Sequence, residues 1–540
     1  MIVYLAAAAL LFGRPLWHGG AHECLCIGTD EGIFAWGFAW WPHALWHGLN
    51  PFYSHLLYAP RGFDLALSTM VPGAALIFAP ITAIAGPLSA FNVAMLLSPV
   101  LAAFFAFLLC RRLTRAFWPA LLGGWLFGFS TYMLGQLLGH LNLTLVFLVP
   151  AIAHLAILAF ANEISRRRFV ALLVVALVLQ FSFSPEVLVS LTLFGFAAVA
   201  IGYALGDPGA RAALRGLLAP VALAYLLTAV LVSPYLYYAF QPGKLPILLG
   251  RTNMFSNDLL GFAVPTQLTA LGGLDFLSTS RTFSAGVVEG GAYLGLPLIL
   301  MMLLGVRAGW RRVEVRVMLG TLLIVLVCTL GGHLHIGGHA AIPLPWAVGH
   351  RLPVLGQLLP SRFILYGVLI GAMLAAMWLA RSGPRLAPWL LAIVSVVSLW
   401  PAVGRGYWRS VPDLPRLFTT SAYRQAIRPS DTALLLPVGG AGQSMLWQAQ
   451  ARLGFTMAGG YGAPAGAEPY MQDPIYPTLT SGVAVPHQQA AARRFLVSHH
   501  VTVAVLDPHE PTAAPWIGII ERLGWRAQMR GSVCLLRPAS

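Results

Sequence analysis

The sequence is poor in charge. Only 9% of its 540 residues are charged, whereas 58% are hydrophobic. Soluble domains carry about 25% charged residues, so the composition excludes a globular protein that is surrounded by water. The apolar residues occur in long blocks with short arginine-bearing gaps between them, which is the pattern of a polytopic membrane protein.

Lysine and acidic residues are especially scarce. The sequence has 33 Lys and Arg residues against 18 Asp and Glu residues, and Lys244 is its only lysine. The formal net charge of +15 lies in the gaps between apolar blocks rather than along one basic face. Nucleic acid is therefore not expected as a partner.

Cysteine is also rare, with five residues in the chain. Cys110 and Cys328 lie in apolar stretches and Cys534 lies in the tail, so no metal-ligand pattern is present. Cys24 and Cys26 are one residue apart, which we interpret as too tight for an easy intramolecular bridge. We expect no role for cysteine chemistry.

The apolar blocks have the length of transmembrane helices, since about 20 residues cross a hydrocarbon core of about 30 Å. About eleven crossings are predicted: 2–17, 88–110, 117–136, 141–161, 169–183, 186–205, 217–239, 290–306, 315–331, 362–380 and 386–403. The alternative for the first span is a signal peptide, but no small-x-small cleavage site stands out after it. We predict that it is retained.

Arginine predicts the topology, because cytoplasmic loops are enriched in basic residues. Arginines follow every second predicted span, at 111–115, 166–168, 211–215, 307–316 and 381–385. This alternation places the N-terminus in the cytoplasm and the segments 18–87, 240–289, 332–361 and 404–540 on the outer face. It requires that the proline-interrupted stretch 69–85 does not cross, so we predict a juxtamembrane or re-entrant segment there.

The composition changes near residue 404, where apolar spans give way to polar sequence. Short β-rich runs at 434–437, 501–507 and 532–536 predict strands, and 486–498 and 514–524 predict helices. We therefore predict two domains: an α-helical polytopic membrane domain over 1–403, with 18–87 as a first outer loop carrying juxtamembrane helices, and a small extracytoplasmic α/β domain over 404–540.

An acidic pair follows the first predicted span. Asp30 and Glu31 precede an aromatic and histidine-rich stretch that is typical of a helix at the level of the lipid headgroups. With Thr29 as N-cap, one interpretation is compensation of the helix dipole. The other is a functional site, because ionised groups at a membrane boundary cost free energy unless water, a cation or a substrate meets them.

Several short phrases accompany this organisation. They are Tyr58–Gly62, Gly86–Asn92, Gly139–Leu143, Ser184–Glu186, Glu289 with Ala292–Gly295, Pro360–Phe363 and Met457–Tyr461. With the N-terminal span, the acidic pair and the outer C-terminal domain, they resemble the GT-C superfamily of integral-membrane glycosyltransferases, in particular bacterial GT-C-like proteins. That superfamily includes aminoarabinose transferases, protein O-mannosyltransferases and oligosaccharyltransferases.

The resemblance implies an inverting glycosyltransferase of the bacterial inner membrane. It would move a sugar from a polyprenyl-phosphate-linked donor to a glycan, lipid or protein acceptor on the outer face. By matching position, Asp30 is the general base and Glu31 is its helper or alternative. No cofactor is required, although some members hold a divalent cation with their acids, so a metal bound by Asp30 and Glu31 stays an alternative.

Further polar residues are candidates for substrate binding. Glu186 and Arg362 lie at outer ends of predicted spans, where the alternatives are dipole compensation for the acid and snorkelling for the arginine. His140 and Asn142 lie in an outer turn, where either could instead cap the turn. Arg251 and Arg281 belong to the outer segment 240–289, where charge also serves solubility.

Two other functions compete with glycosyl transfer. A carrier or flippase for lipid-linked substrates is disfavoured by the absence of an internal repeat and by the scarcity of charge within the spans. A non-catalytic protein of cell-envelope polysaccharide assembly would keep the fold without needing the acidic pair.

Overall fold

The computed structural model describes residues 1–19, 22–28, 30–241, 255–352, 354–462 and 469–539. Helices predominate up to residue 400. In chain order they are α1 (Ile2–Phe12), α2 (Glu31–Trp46), α3 (Pro72–Ile77), α4 (Ala79–Ala85), α5 (Pro87–Thr114), α6 (Phe117–Gly128), α7 (Thr131–Gln136), α8 (Leu141–Thr144), α9 (Leu148–Phe160), α10 (Arg166–Phe183), α11 (Pro185–Leu205), α12 (Pro208–Leu231), α13 (Ser233–Ala239), α14 (Leu274–Ser280), α15 (Gly286–Glu289), α16 (Leu296–Gly309), α17 (Val313–Thr329), α18 (Trp346–Gly349), α19 (Ile364–Ser382) and α20 (Leu386–Ser398).

The remaining helices are short and alternate with strands. They are α21 (Arg416–Thr419), α22 (Tyr423–Ala426), α23 (Ser444–Gln450), α24 (Tyr476–Ser481), α25 (Gln488–Ser498) and α26 (Pro515–Glu521). The strands are β1 (Tyr53–Ser54), β2 (Phe63–Asp64), β3 (His333–Ile336), β4 (His339–Pro343), β5 (Thr432–Leu436), β6 (Thr456–Met457), β7 (Val503–Leu506), β8 (Trp525–Arg530) and β9 (Val533–Pro538).

Local sequence explains where the long helices begin. The side chains of Ser165, Ser184 and Asp207 accept a hydrogen bond from a backbone N–H in the first turn of α10, α11 and α12. These residues are good N-caps because a helix leaves its first N–H groups without internal partners. Pro185 and Pro208 then occupy the first helical position, where the missing N–H of proline costs nothing.

Within the described residues, five helices are long and apolar enough to cross a membrane: Pro87–Thr114, Leu141–Phe160, Pro185–Leu205, Pro208–Leu231 and Pro360–Ser382. Three shorter apolar helices are α1, α16 and α20. The protein is thus a multi-pass membrane protein, and the number of eleven crossings stays a prediction.

The stretch 69–85 forms two short helices, α3 with 6 residues and α4 with 7. At about 1.5 Å per residue, neither reaches across a core of about 30 Å. The stretch is divided into two helices because a proline lies near the start of each one, and proline favours the first turn of a helix.

Contacts divide the chain into two compact units. The helical unit comprises the described residues of Met1–Arg14, Met95–Val232 and Leu248–Trp408. At its centre α19 packs against α6, α16 and α17. The close packing depends on small residues, since a Cβ at Gly305 of α16 would lie 2.7 Å from the backbone oxygen of Leu374.

The sheet unit comprises the described residues of Pro15–Ala94, Ser233–Ile247 and Arg409–Ser540. Its five-stranded sheet has the order β6-β5-β7-β9-β8, in which β5 runs parallel to β6 and β7, and β9 runs antiparallel to β7 and β8. All four residues of β7 are buried, as expected for a strand inside an α/β layer structure. Leu434, Leu506, Phe495 and Trp516 belong to one buried cluster that joins the sheet to α25 and α26.

Strands are present where the sequence predicts them: β5, β7 and β9 overlap the three predicted runs. Helices α25 and α26 likewise fall within the two predicted helical segments. Strands β6 and β8 were not predicted, because β6 has only 2 residues and β8 is exposed along nearly its whole length, so neither shows an apolar strand pattern. The domain boundary at 404 stays a prediction.

Candidate active site

The acidic pair lies at the start of α2 in the sheet unit. Asp30 occupies the N-cap position, but its side chain makes no capping hydrogen bond. Thr29, the predicted N-cap, lies outside the described residues. Capping therefore does not account for the Asp30 carboxylate, and it accounts still less for Glu31, whose side chain is fully buried.

Glu31 is held in an environment that favours its neutral form. Its Oε1 accepts a hydrogen bond of 3.0 Å from Nε2 of Gln443. Burial raises the pKa of Glu31 to about 7; the Gln443 hydrogen bond lowers it and the neighbouring charge of Asp30 raises it. A carboxyl group with such a pKa exchanges its proton near neutral pH, which is useful in general acid–base chemistry.

Asp30 is half-buried, and Tyr461 binds it. The phenolic hydroxyl of Tyr461 donates to Oδ1 of Asp30 at 3.0 Å. This bond orients the Asp30 carboxylate. Of the two acids, Asp30 is therefore the one that reaches solvent.

Buried polar contacts fix α2 within the sheet unit. The indole N–H of Trp36 donates to Oε1 of Gln448 at 2.6 Å, and the Gln448 amide donates to the backbone oxygens of Leu56 and Phe455 at 3.1 and 2.7 Å. Gln448 is fully buried, so all of these bonds are made away from water, where unpaired groups are costly. They join α2 to α23 and thereby bring Gln443 to Glu31.

Cys24 and Cys26 form a disulfide bond, so the expectation of no bridge between them was wrong. The Cα atoms are 5.2 Å apart, which lies within the usual range for a disulfide. Residues 25–28 follow a series of bends, and this allows a separation that an extended chain does not give. The bridge lies a few residues before the acidic pair.

A second polar cluster, the arginine cluster, lies in the helical unit and consists of Arg362, Glu186, Glu289, Gln136 and His140. Arg362 lies in the 3-10 turn Pro360–Phe363, directly before α19. Its Nε donates to both carboxylate oxygens of Glu289, at 3.1 and 3.0 Å, and its Nη2 donates to Oε1 of Glu289. Its Nη1 donates to Oε2 of Glu186. Two acids therefore share one guanidinium.

Glu289 is the most buried acid of the arginine cluster, with 5% of its surface exposed. Burial raises its pKa, but the charge and hydrogen bonds of Arg362 outweigh this effect and hold the pKa below its ordinary value. Gln136 donates to Glu289 at 3.3 Å, and Nδ1 of His140 lies 3.6 Å from Oε1 of Glu289. Glu289 thus connects the arginine to the histidine.

The structure brings together three of the predicted binding residues, Glu186, Arg362 and His140, in the arginine cluster. Asn142 is buried in α8, and no contact found among the described residues places it in the cluster. Arg281 is exposed at the C-terminal end of α14. Arg251 lies outside the described residues.

Metal-ligating side chains converge at one place in the described part of the chain. Ligand atoms of Cys24, Cys26 and Glu31 all lie within 4.8 Å of one another. Asp30 is not part of this group. Among the described residues, no further His, Cys, Asp or Glu side chain therefore joins Asp30 and Glu31 as a third ligand for the predicted alternative, a cation held by this pair.

A family model matches residues 1–401 of the chain, and its description is "Domain of unknown function (DUF6311)". The chain belongs to the DUF6311 family. The DUF6311 match includes the acidic pair and the whole arginine cluster, whereas Gln443 and Tyr461 follow its end. A search of curated proteins finds no significant relative.

Solved structures resemble this DUF6311 protein in fold. The oligosaccharyltransferase of Archaeoglobus fulgidus in the apo form is 12% identical with a TM-score of 0.51, over 94% of this chain and 69% of that chain. ArnT from Cupriavidus metallidurans bound to undecaprenyl phosphate is 12% identical with a TM-score of 0.53, over 100% and 98%. The arabinofuranosyltransferase AftD from Mycobacteria is 15% identical with a TM-score of 0.56, over 100% and 41%.

These likenesses show the fold, which is that of the GT-C superfamily of membrane glycosyltransferases. The resemblance drawn from the sequence is thereby confirmed for the fold. This DUF6311 chain spans nearly the whole length of ArnT but less than half of AftD.

Four members of the two clusters were not predicted from the sequence: Gln443, Tyr461, Glu289 and Gln136. Gln443 and Tyr461 carry no local signal for a contact with α2, although Tyr461 ends one of the phrases that carry the resemblance. Glu289 did offer a signal, because an acid next to a predicted span is a functional candidate. Glu186, which the sequence predicts as a binding residue, offers the same signal.

Proposed function

We propose that the protein is an inverting glycosyltransferase that moves a sugar from a polyprenyl-phosphate-linked donor to an acceptor on the outer face of the bacterial inner membrane. The acceptor is a hydroxyl-bearing glycan, lipid or protein. The observation that carries the proposal is the acidic pair, in which one buried and one half-buried carboxylate stand side by side in a chain with the GT-C fold.

The proposed chemistry assigns the base to Asp30. Its carboxylate takes the proton of the acceptor hydroxyl while the acceptor oxygen bonds to C1 of the sugar from the face opposite the phosphate. The bond between C1 and the phosphate oxygen breaks, and the polyprenyl phosphate leaves with the electron pair. Tyr461 supports this role because its hydrogen bond holds Asp30 in one orientation.

Glu31 is assigned a supporting role. Since it is fully buried and bonded to Gln443, it does not meet an acceptor directly. With a pKa of about 7, Glu31 can release a proton when Asp30 takes one, and take a proton when Asp30 releases one. The total charge of the pair then changes little during transfer. The assignment keeps the roles that the resemblance implies, with Asp30 as the general base and Glu31 as its helper.

The arginine cluster is assigned to substrate binding, with Arg362 directed to the donor phosphate. Among the contacts of the described residues, Nη1 and Nη2 of Arg362 each use one of their two N–H groups on a carboxylate. We assign the remaining N–H groups of Nη1 and Nη2 to phosphate oxygens, since a guanidinium can bind such oxygens with paired hydrogen bonds. Glu186 and His140 then remain for sugar hydroxyls, and Asn142, Arg251 and Arg281 stay as predicted binding residues.

A divalent cation is not assigned a step. Mg²⁺ takes about six oxygen ligands, usually with one or two protein carboxylates and substrate phosphates. Asp30 is committed to Tyr461 on one oxygen and Glu31 to Gln443 on one oxygen, and no third acid joins them among the described residues. We propose that the transfer uses the carboxylates themselves, and a divalent cation held by Asp30 and Glu31 stays the alternative.

Substitution of Asp30 by asparagine tests the proposal. Asp30→Asn keeps the size and the hydrogen bond from Tyr461 but cannot accept a proton, so transfer should fall by about 10²–10⁴-fold, the usual cost of losing a general base. The measurement is transfer of labelled sugar from undecaprenyl-phosphate-linked donors in proteoliposomes that contain total membrane glycolipid as acceptor.

Asp473→Asn is a matched control. Asp473 is an acid of the same unit whose carboxylate accepts a hydrogen bond from the backbone of Ile475, an interaction that asparagine also makes, so transfer should persist. Activity of Asp30→Asn within a few-fold of the wild type would remove Asp30 from the mechanism. Movement of intact donor across the bilayer without sugar transfer would favour the carrier instead.

A further inference from the structure

The three ligand atoms that converge in the sheet unit form an unusual set. Cys24 Sγ, Cys26 Sγ and a carboxylate oxygen of Glu31 lie within 4.8 Å of one another, and all three residues are buried. Two sulfurs and one oxygen are ligands that Zn²⁺ accepts, whereas Mg²⁺ prefers oxygen alone. The set therefore differs in chemistry from a cation site built on two carboxylates.

An independent observation at Glu31 points to a ligand. Its Oε1 is bonded to Gln443, but within the described part of the chain its buried Oε2 has no hydrogen-bond partner. A buried carboxylate oxygen without a donor is costly. The usual remedies are a proton or a cation.

The backbone around the cysteines is fixed by contacts within the sheet unit. Cys24 exchanges backbone hydrogen bonds of 2.8 and 3.0 Å with Ser410. The N–H of Leu25 donates to the side chain of Asn92 at 2.8 Å, and Asn92 donates to the backbone oxygen of Glu23 at 2.7 Å. These bonds fix the backbone of Glu23, Cys24 and Leu25 independently of the sulfur–sulfur bond.

We propose that reduction of the Cys24–Cys26 disulfide turns this corner of the sheet unit into a zinc site with Cys24, Cys26 and Glu31 as ligands. A dithiol supplies two electrons and two protons, the Sγ–Sγ bond breaks, and the dithiol becomes a disulfide. Zn²⁺ then displaces one proton from each thiol, and the carboxyl proton where Glu31 is protonated, and it binds both thiolates and Oε2 of Glu31; the displaced protons pass to solvent. The fourth position of the tetrahedron is left for water or a substrate oxygen.

The geometry needs only a small adjustment. Two thiolates at about 2.3 Å from a tetrahedral zinc ion stand about 3.8 Å apart, so the two reduced sulfurs must move apart. The carboxylate oxygen lies within 4.8 Å of both sulfurs and must approach them by at most about an ångström. Side-chain rotation of the cysteines supplies this movement.

The site has a functional consequence that rests on the proposed function. A zinc ion on Glu31 would occupy the carboxylate that supports Asp30 and would place a positive charge next to the Asp30 carboxylate. Transfer should be active with the disulfide intact and blocked when the reduced protein has bound zinc. The acidic pair would then sense the redox state of its compartment.

Cobalt(II) is the probe that tests the site, because its bonds to thiolates give absorption that zinc lacks. The full-length protein in detergent is reduced with a water-soluble trialkylphosphine, which takes the oxygen of water and forms few bonds to metals. Reduction of the pair is verified by alkylation and peptide mass spectrometry. The reduced protein should then show a sulfur-to-cobalt charge-transfer band at one equivalent of Co²⁺, and Zn²⁺ should abolish it; the oxidised protein should show none.

Variants separate this site from other thiols. Cys24→Ser and Cys26→Ser should lose the band. Glu31→Gln should weaken zinc binding by at least about 10–100-fold, because loss of a residue that only hydrogen-bonds to a metal ligand typically costs that much. Cys534→Ser, at a free cysteine of the same unit, should leave the band unchanged. No cobalt band, a band that survives Cys24→Ser, or a disulfide that the phosphine does not reduce in the folded protein would overturn the proposal. A cobalt band with undiminished transfer would support the site and refute the role of Glu31 in transfer.

Discussion

The buried carboxyl group of Glu31 should make the stability of the protein depend on pH. Its pKa is raised from an ordinary value of 4.5 to about 7 in the folded state. Between these values the folded protein holds a proton that the unfolded chain has released. Stability from this group is therefore fully present below pH 4.5 and is lost as the pH rises through about 7.

The magnitude follows from the two pKa values. At about 1.4 kcal/mol for each pH unit, the interval from 4.5 to about 7 amounts to about 3 kcal/mol. Most of this loss should occur between about pH 4 and pH 7. In Glu31→Gln the group does not titrate, so this part of the pH dependence should disappear.

The assay compares the free energy of unfolding of the detergent-solubilised wild type and Glu31→Gln across that pH range. Glu314→Gln is a matched control, because the Glu314 side chain is 51% exposed and should leave the pH profile of the wild type unchanged. Parallel profiles for the wild type and Glu31→Gln would show that Glu31 is not buried as described and would refute the reasoning.

Three further predictions concern other parts of the molecule. Arg362→Met should lower stability in detergent by about 3–5 kcal/mol, because it leaves two carboxylates without their cation. Arg362→Lys should weaken use of the donor, seen as a higher donor concentration at half-maximal transfer rate, because an ammonium lacks the paired donors of a guanidinium; unchanged kinetics in the lysine variant would make the arginine a structural residue. In the sheet unit, burial raises the pKa of Asp431, but the hydrogen bonds from Arg537 outweigh this effect, so the pKa is lowered. The free energy of unfolding should therefore fall as the pH drops below the ordinary value of 3.8, and it should fall less steeply in Arg537→Met. Reporter fusions after Arg168 should be cytoplasmic and fusions near residue 480 external, and a cytoplasmic signal near 480 would contradict the proposed outer-face site.

Much of the fold could be predicted because apolar length and proline position are local signals. Helices α11 and α12 begin where a capping side chain and a proline follow each other, and β5 and β7 are short apolar runs. Predicted spans differ from the observed helices where an apolar run contains a residue that starts a new helix. The predicted span 117–136 is divided into α6 and α7, since Ser130 caps a new helix at Thr131.

The candidate site could be predicted only in part, for a physical reason. Asp30 and Glu31 are adjacent and precede a helix, so their position is visible in the sequence. Their partners Gln443 and Tyr461 are ordinary polar residues whose importance comes from a tertiary contact across 412 and 431 positions. The Cys24–Cys26 bridge was missed because its feasibility depends on the bends of residues 25–28, which no pattern of residue types reveals.

The long separation between α2 and its buried partners has a consequence for biogenesis. Trp36 and Gln448 are 412 positions apart, and ribosomes add about 5–20 residues each second. The segment that carries the acidic pair is therefore made about 20–80 seconds before the residues that bury it. During this interval Glu31 and the aromatic face of α2 have no finished core to enter, and we expect a chaperone or the insertion machinery to shelter them until translation of the tail is complete.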